Sequence, residues 1–202
     1  MSLHPDADAL IRAFLDHPAD ETPRLVLADW LDDTGRPADA AWAAYIRARS
    51  AAARLLPTRY DRAALLREAT ARAAEITVTL TVPAADFLRA PASFLDLLPA
   101  DRLAVSLADC VLPAAVVEVV PESVARTCRV VALSPWEDGG VLFLASADPN
   151  DAENRQRLEF ILNREVVFIR APADEIDRAI EASYPWDVES IEEALVIFPE
   201  DA

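Results

Sequence analysis

Three carboxylates are the first candidates for chemistry. Asp29, Asp32 and Asp33 stand three and four residues apart, so on a helix they share a face, where they could hold a hard cation or work as a general acid and base. The plainer reading is a solvated acidic face, because no His, Gly-rich loop or second carboxylate cluster converges on it in the sequence. Asp148, followed by Pro149, could be a ligand in a phosphate- or metal-binding turn; a turn Asp that caps the next helix explains it with nothing added. His4 and His17, both near the amino terminus, leave little material for a His-based triad, an HExxH zinc site or a His/carboxylate metal centre. All 19 basic side chains are Arg, so there is no Lys for a Schiff base or a P-loop, and the 3 Gly form no phosphate-cradling loop. Cys110 and Cys128 lack metal-ligand spacing and read as buried reduced thiols, with a bridge between them as the alternative. The expectation is a non-enzyme with no catalytic, cofactor-binding or metal-ligating residue.

Charge narrows the partners. The chain of 202 residues carries a net charge of −16, with a pI near 4.4. That acidity argues against non-specific binding to nucleic acid or an anionic membrane. Residues 1–75 hold 10 Arg against 12 acids, whereas the remainder holds 9 against 23, so the second part carries the acidity. Residues 38–75 are locally basic through Arg47, Arg49, Arg54, Arg59, Arg62, Arg67 and Arg72. With little aromatic interleaving to stack bases, an internal contact with the acidic second half is favoured over RNA. The opening Met1-Ser2-Leu3-His4-Pro5 runs into Asp6 and Asp8 and not into an apolar core, which reads as a cytoplasmic chain without direct membrane insertion.

Periodicity supplies the elements that must position these groups. A first helix carries Leu10, Ile11, Phe14 and Leu15 on one face behind an Asp6 or Asp8 cap and ends near His17-Pro18. Thr22 as cap and Pro23 at the first helical position start a second, with Leu27, Trp30 and Leu31 on a stripe and Gly35 as the stop. A third follows Pro37 and buries Trp42, Tyr45 and Ile46. A fourth, from Asp61 to about Glu75, turns Leu65 and Leu66 inward. The period then changes to two: Ile76, Val78, Leu80 and Val82 alternate with Thr77, Thr79 and Thr81, the pattern of a strand with one buried face.

Helical spacing follows over Ala84 to Leu98, interrupted at Pro91, and then a second strand at Leu103, Val105 and Leu107. Pro121 to Cys128 is a short helix. Val130 to Leu133 and Val141 to Ala145 pair as a hairpin. A helix carrying Leu158, Phe160, Ile161 and Leu162 leads to a strand at Val166 to Ile169, parallel to the preceding one. Pro172 to Tyr184 forms a further helix with Ile176 and Ile180 inward. In the acidic tail Val188, Ile191, Leu195 and Phe198 recur at three- and four-residue steps, the pattern of an amphipathic segment that folds back on its own domain or docks on a partner.

Two stretches carry resemblances. Phe14-Leu15, His17 to Asp20, Thr22 to Asp33, Gly35 and Tyr45-Ile46-Arg47 resemble the planctomycete repeat-companion domain. Val120 to Arg126, Val131 to Leu133, Gly140 to Leu144, Ala147-Asp148-Pro149, Leu158-Glu159-Phe160, Val166-Val167 and Ile176 to Tyr184 resemble the amino-terminal domain of type II secretion and type IV pilus assembly ATPases. That resemblance implies an accessory domain that docks the ATPase on a membrane-anchored component, and some members bind cyclic di-GMP. The Arg-Leu-Gly motif of the dinucleotide-binding members is not found in this chain.

The combined expectation is an α+β protein: a helical module at 1–75, a strand-helix-strand unit at 76–113, an α/β domain at 114–186 that folds alone, and an acidic tail at 187–202. Its expected function is that of a cytoplasmic protein-interaction or adaptor domain whose partner is a basic surface of a secretion or pilus assembly component. Sensing of cyclic di-GMP or another nucleotide is the alternative. Trp136, Trp186, Ile191, Leu195 and Phe198 are the candidate partner contacts, since large apolar rings beside prolines and on an unpaired stripe more often meet another protein.

Overall fold

The computed structural model describes residues 5–18, 20–56, 59–134 and 141–184. The four expected amino-terminal helices are present: α1 (Pro5–Asp16), α2 (Thr22–Asp33), α3 (Pro37–Ala53) and α4 (Tyr60–Ala73). Ile11 and Phe14 of α1, Leu27 and Leu31 of α2, and Trp42, Tyr45 and Ile46 of α3 are buried together. Gly35 has φ of +67°, the left-handed conformation that ends α2, and its N–H donates to the Asp32 carbonyl.

Two details differ from the sequence reading. Thr22 is the first helical residue and not the cap; Glu21 precedes it without capping through its side chain, and Asp20 Oδ1 accepts from the Thr22 N–H at 2.8 Å. On α4 it is Ala69 that is buried, while Leu65 and Leu66 are only half-covered, because a small side chain lets this helix lie close against α3.

A single mixed sheet of five strands follows: β1 (Leu80–Pro83), β2 (Leu103–Ser106), β3 (Val130–Ala132), β4 (Leu142–Ser146) and β5 (Val166–Arg170). Their order is β1-β2-β5-β4-β3, with β3 antiparallel to β4 and every other pair parallel. All three strands expected in the last third exist, and the hairpin and the parallel crossover form as expected. Burial on both faces explains why β4 reads as the continuous apolar run Leu142-Phe143-Leu144-Ala145 instead of an alternating one.

The first strand is shorter than its pattern. Ile76 is buried and Thr77 exposed as the alternation requires, yet pairing begins only at Leu80, opposite Leu103 where β2 starts. Helices α5 (Ala84–Phe87), α6 (Pro91–Leu97), α7 (Ala114–Val117), α8 (Glu122–Cys128), α9 (Ala152–Leu162) and α10 (Ala173–Ser183) connect and cover the strands.

One contiguous core runs through helices and sheet alike. A row of rings joins them: Phe14 of α1 meets Phe94 of α6 edge-on at 5.2 Å, Phe94 meets Phe87 at 5.2 Å, and Phe87 meets Phe143 of β4 at 5.8 Å. Trp42 Nε1 donates to the Leu97 carbonyl at 2.8 Å and the Tyr45 hydroxyl to the Leu95 carbonyl at 2.6 Å. Beside them Asp96 accepts from Arg24 Nη1 at 3.3 Å and from Arg49 Nε at 3.1 Å. Burial pushes the Asp96 carboxyl above its ordinary value, against the pull of Arg49 and Arg24. Removing this carboxylate from water offsets part of what its two arginine partners supply.

Two outcomes are expected from this arrangement. Replacing Phe94 by Ala removes the ring at the centre of the row and should cost about 3–5 kcal/mol. Because that ring touches both parts, denaturant unfolding followed by far-ultraviolet circular dichroism should remain one transition at a lower midpoint. The autonomy of residues 114–186 is a separate proposal. A fragment of 76–186 keeps β2, whose Leu103 and Val105 are wholly buried. We expect it to melt cooperatively and at a higher temperature than 114–186, in calorimetry of the two fragments.

Candidate functional site

The acidic face of α2 is neutralised from within. Arg47 of α3 reaches Asp29 Oδ1 at 2.7 Å and Asp32 Oδ2 at 2.5 Å, while Asp33 stays on the exposed side. Guanidinium nitrogens thus occupy the oxygens that a cation would need. The basic stretch is spent likewise, mostly inside its own module: Arg54 pairs with Glu21, Arg72 with Glu75, and Arg67 lies over the Tyr60 ring at 5.9 Å. Arg49 to Asp96 is the contact that reaches past residue 75, so the expected broad contact with the acidic second half is corrected to that one ion pair among the described residues.

At the carboxyl ends of β4 and β5, a crevice of about 230 Å³ is lined by Cys128, Arg129, Ser146, Asp148, Asp151 and Asn154. Such a position is where open α/β sheets commonly place ligands. Its polar groups are already engaged. Asp151, not Asp148, caps α9 by accepting from the Asn154 N–H at 2.9 Å, and the Asn154 amide donates to the Cys128 carbonyl at 3.1 Å. Asp148 instead closes a turn by accepting from the Asn150 N–H at 3.0 Å. Two residues separate Asp148 from the cap position, so its carboxylate is too early in the chain to reach the helix.

Arg129 ends α8 with φ of 49° and forks onto Asp177 of α10, Nε to Oδ1 at 3.0 Å and Nη2 to Oδ2 at 2.5 Å. A left-handed backbone costs a non-glycine residue about 1–2 kcal/mol. The fork holds that conformation and ties two helices together. The crevice is thus a knot of backbone caps. Both cysteines are free thiols, so the bridge is not formed, and burial pushes the Cys110 thiol up, which makes it a poor nucleophile.

Two apolar features stand out beside these engaged polar groups. The first lies at the opposite end of the sheet, where β4 begins. The Leu142 N–H donates to the Glu165 carbonyl at 2.9 Å, which sets Val141 beside the end of α9. There Phe160 is 88% exposed, Ile161 44% and Val141 37%. The sequence reading placed Leu158, Phe160, Ile161 and Leu162 on this helix without dividing them between its faces. The structure buries Leu158 and Leu162, four residues apart, and turns Phe160 outward. Two residues advance a helix by about 200°, so Phe160 and Leu158 cannot share a face. A helical wheel carries that signal.

The second feature is a groove of about 530 Å³ between α7 and α10, lined by Cys110, Val111, Val117, Glu118, Ala182 and Tyr184 among others. The Tyr184 hydroxyl donates at its floor, 2.5 Å from the Val120 carbonyl and 2.9 Å from that of Val117. Val111 at its rim is 93% exposed.

The sequence-derived partner contacts Trp136, Trp186, Ile191, Leu195 and Phe198 lie outside the described residues. Among the described residues, no group of three or more His, Cys, Asp or Glu is placed to hold a metal ion. No helix among them is long and apolar enough to cross a membrane.

A β3–β4 hairpin, a crossover helix, the parallel strand β5 and the closing helix α10 define a small α/β domain on which a helical module is packed. The MshEN domain model matches residues 88–189, half of the chain, and the chain belongs to the MshEN domain family. Among solved structures, that of MshE with cdg is similar at 20% identity, covering 78% of this chain and 98% of that one with a TM-score of 0.36. A likeness that loose says nothing about a ligand. No curated protein matches.

The site generates one pH expectation. Burial holds the Tyr45 hydroxyl well above its ordinary value, Arg49 opposing and Asp96 and Asp101 adding to the effect; burial and Glu122 do the same for Tyr184 against Arg126. A raised tyrosine value means that the folded chain keeps a proton which the unfolded chain releases near pH 10. Stability from these groups is therefore complete below about pH 10 and falls as pH rises above it. Thermal melts at pH 9 to 11 should show that loss, and Tyr45→Phe should flatten the slope.

Proposed function

We propose that this protein is a non-catalytic adaptor whose MshEN domain docks a protein partner through the end of the sheet where Val141, Phe160 and Ile161 are exposed. The observation that carries this reading is Phe160, an aromatic ring left 88% exposed on a helix that buries Leu158 and Leu162 on its other side. Aromatic side chains supply large contact area at low entropic cost and are enriched at interface centres.

The resemblance to secretion and pilus ATPase domains points to a membrane-anchored assembly component as the partner. The net charge of −16 fits a basic surface on that component and a cytoplasmic setting. The lack of any Lys, and with it of a P-loop, supports a non-enzymatic role. For the amino-terminal module, the repeat-companion resemblance supplies a lineage and no activity.

The competing reading is cyclic di-GMP sensing, the ligand of some ATPase relatives. It would require recognition without an Arg-Leu-Gly motif. One experiment separates the two. The full chain and Phe160→Ser should be compared for capture of the cytoplasmic part of the assembly component, with calorimetric titration of cyclic di-GMP in parallel. Phe160→Ser should keep the melting temperature and weaken capture at least about tenfold, since truncating a central interface aromatic typically costs 2 kcal/mol or more. Saturable micromolar heat with cyclic di-GMP, or capture indifferent to Phe160, would overturn the docking reading.

A further inference from the structure

We infer that the apolar groove between α7 and α10 is the seat of the chain's own acidic tail, with Val188, Ile191, Leu195 and Phe198 as the residues that fill it. This rests on the groove alone and is independent of the Phe160 face. Cys110, Val111, Leu112, Ala114, Val117, Ala179, Ala182 and Tyr184 leave Glu118 as the one charged side chain among its walls, so the cavity of about 530 Å³ asks for an apolar occupant. Its rim residue Val111 is 93% exposed, more than any other large apolar side chain described.

The occupant is named by where the chain leaves the fold. Tyr184 is itself a wall of the groove, and it is held there by its hydroxyl on the Val117 and Val120 carbonyls and by Arg126 Nη2 on its own carbonyl at 2.7 Å. The last described residue, Tyr184, is thus part of the groove to which residues 185–202 are covalently joined. Two residues span at most about 7 Å, so Trp186 cannot be farther than that from Tyr184 by any path. A tether this short presents the tail at an effective concentration of order millimolar, which an external ligand would have to exceed.

The tail has the composition that the cavity requires. Val188, Ile191, Leu195 and Phe198 recur at three- and four-residue steps, so they can face one way together, with Asp187, Glu189, Glu192 and Glu193 turned to water. A segment of this length gains little from helical structure alone and needs a surface to pack on. The groove is such a surface at zero distance.

Cys110 reports occupancy, because it lines the groove and is partly accessible while Cys128 is buried. The test compares alkylation of Cys110 by iodoacetamide, quantified by peptide mass spectrometry, in the full chain and in the full chain with Ile191→Asp and Leu195→Asp. The substituted tail should leave the groove and speed labelling about tenfold at an unchanged melting temperature of the rest. A second arm uses the full chain with Ile191→Cys under mild oxidation. A Cys110 to position 191 bridge within a monomer is the expected product. Equal labelling in both chains together with no bridge would overturn the inference. Disulfide-linked dimers, or protection of Cys110 that disappears on dilution, would also overturn it, by assigning the groove to a second copy.

Discussion

A seven-residue helix cannot satisfy its own last carbonyls, and α6 is such a helix, set between two hydrophobic masses. The amino-terminal module completes it. Trp42 and Tyr45 donate to the Leu97 and Leu95 carbonyls, and Arg24 donates to the Ser93 carbonyl at 3.0 Å. On the other side, Phe94 and Phe87 carry the packing to Phe143 in the sheet. Buried carbonyls left without donors cost about 1–3 kcal/mol each, so the module and the sheet depend on each other through this one short element.

That dependence explains how a chain with two unrelated resemblances forms one core. The MshEN match begins at residue 88 and so includes α6, while the three side chains that donate to its carbonyls come from α2 and α3. The module is joined to the family domain by hydrogen bonds and rings at the seam, beyond mere tethering. The ion cluster at the seam, Asp96 between Arg24 and Arg49, sets the angle of approach, since a half-buried carboxylate with two guanidinium partners tolerates little displacement.

Elsewhere the polar chemistry is inward-looking. Carboxylates that could have formed a site are engaged by Arg47, by backbone caps at α9, or by the turn after β2, where Glu175 accepts from the Leu107 N–H at 2.6 Å and the Ser106 hydroxyl at 3.1 Å. Among the described residues, large apolar side chains stay exposed at the Phe160 end of the sheet, at Val111 on the rim of the groove, and at Leu56 and Tyr60 in the helical module.

Periodicity made most elements legible. The change from a repeat of three and four to a repeat of two at residue 76 marked the passage from helices to strands, and the turn chemistry at Gly35 marked a helix end, because these are local properties of backbone and side chain. The resemblance to secretion ATPase domains was carried by a handful of motifs in the right order, and the family match agrees with it. Local pattern could not say how far β1 pairs, because that is set by where β2 begins. It could not tell that Asp151 rather than Asp148 caps α9, a difference of one turn of loop. Nor did it show that Arg47 neutralises the acidic face, that Trp42 and Tyr45 complete α6, or that a groove lies where the tail begins. Those facts join residues tens of positions apart. Only the tertiary structure decided them, because which donor meets which carbonyl depends on packing across the core, and no spacing along the chain encodes it.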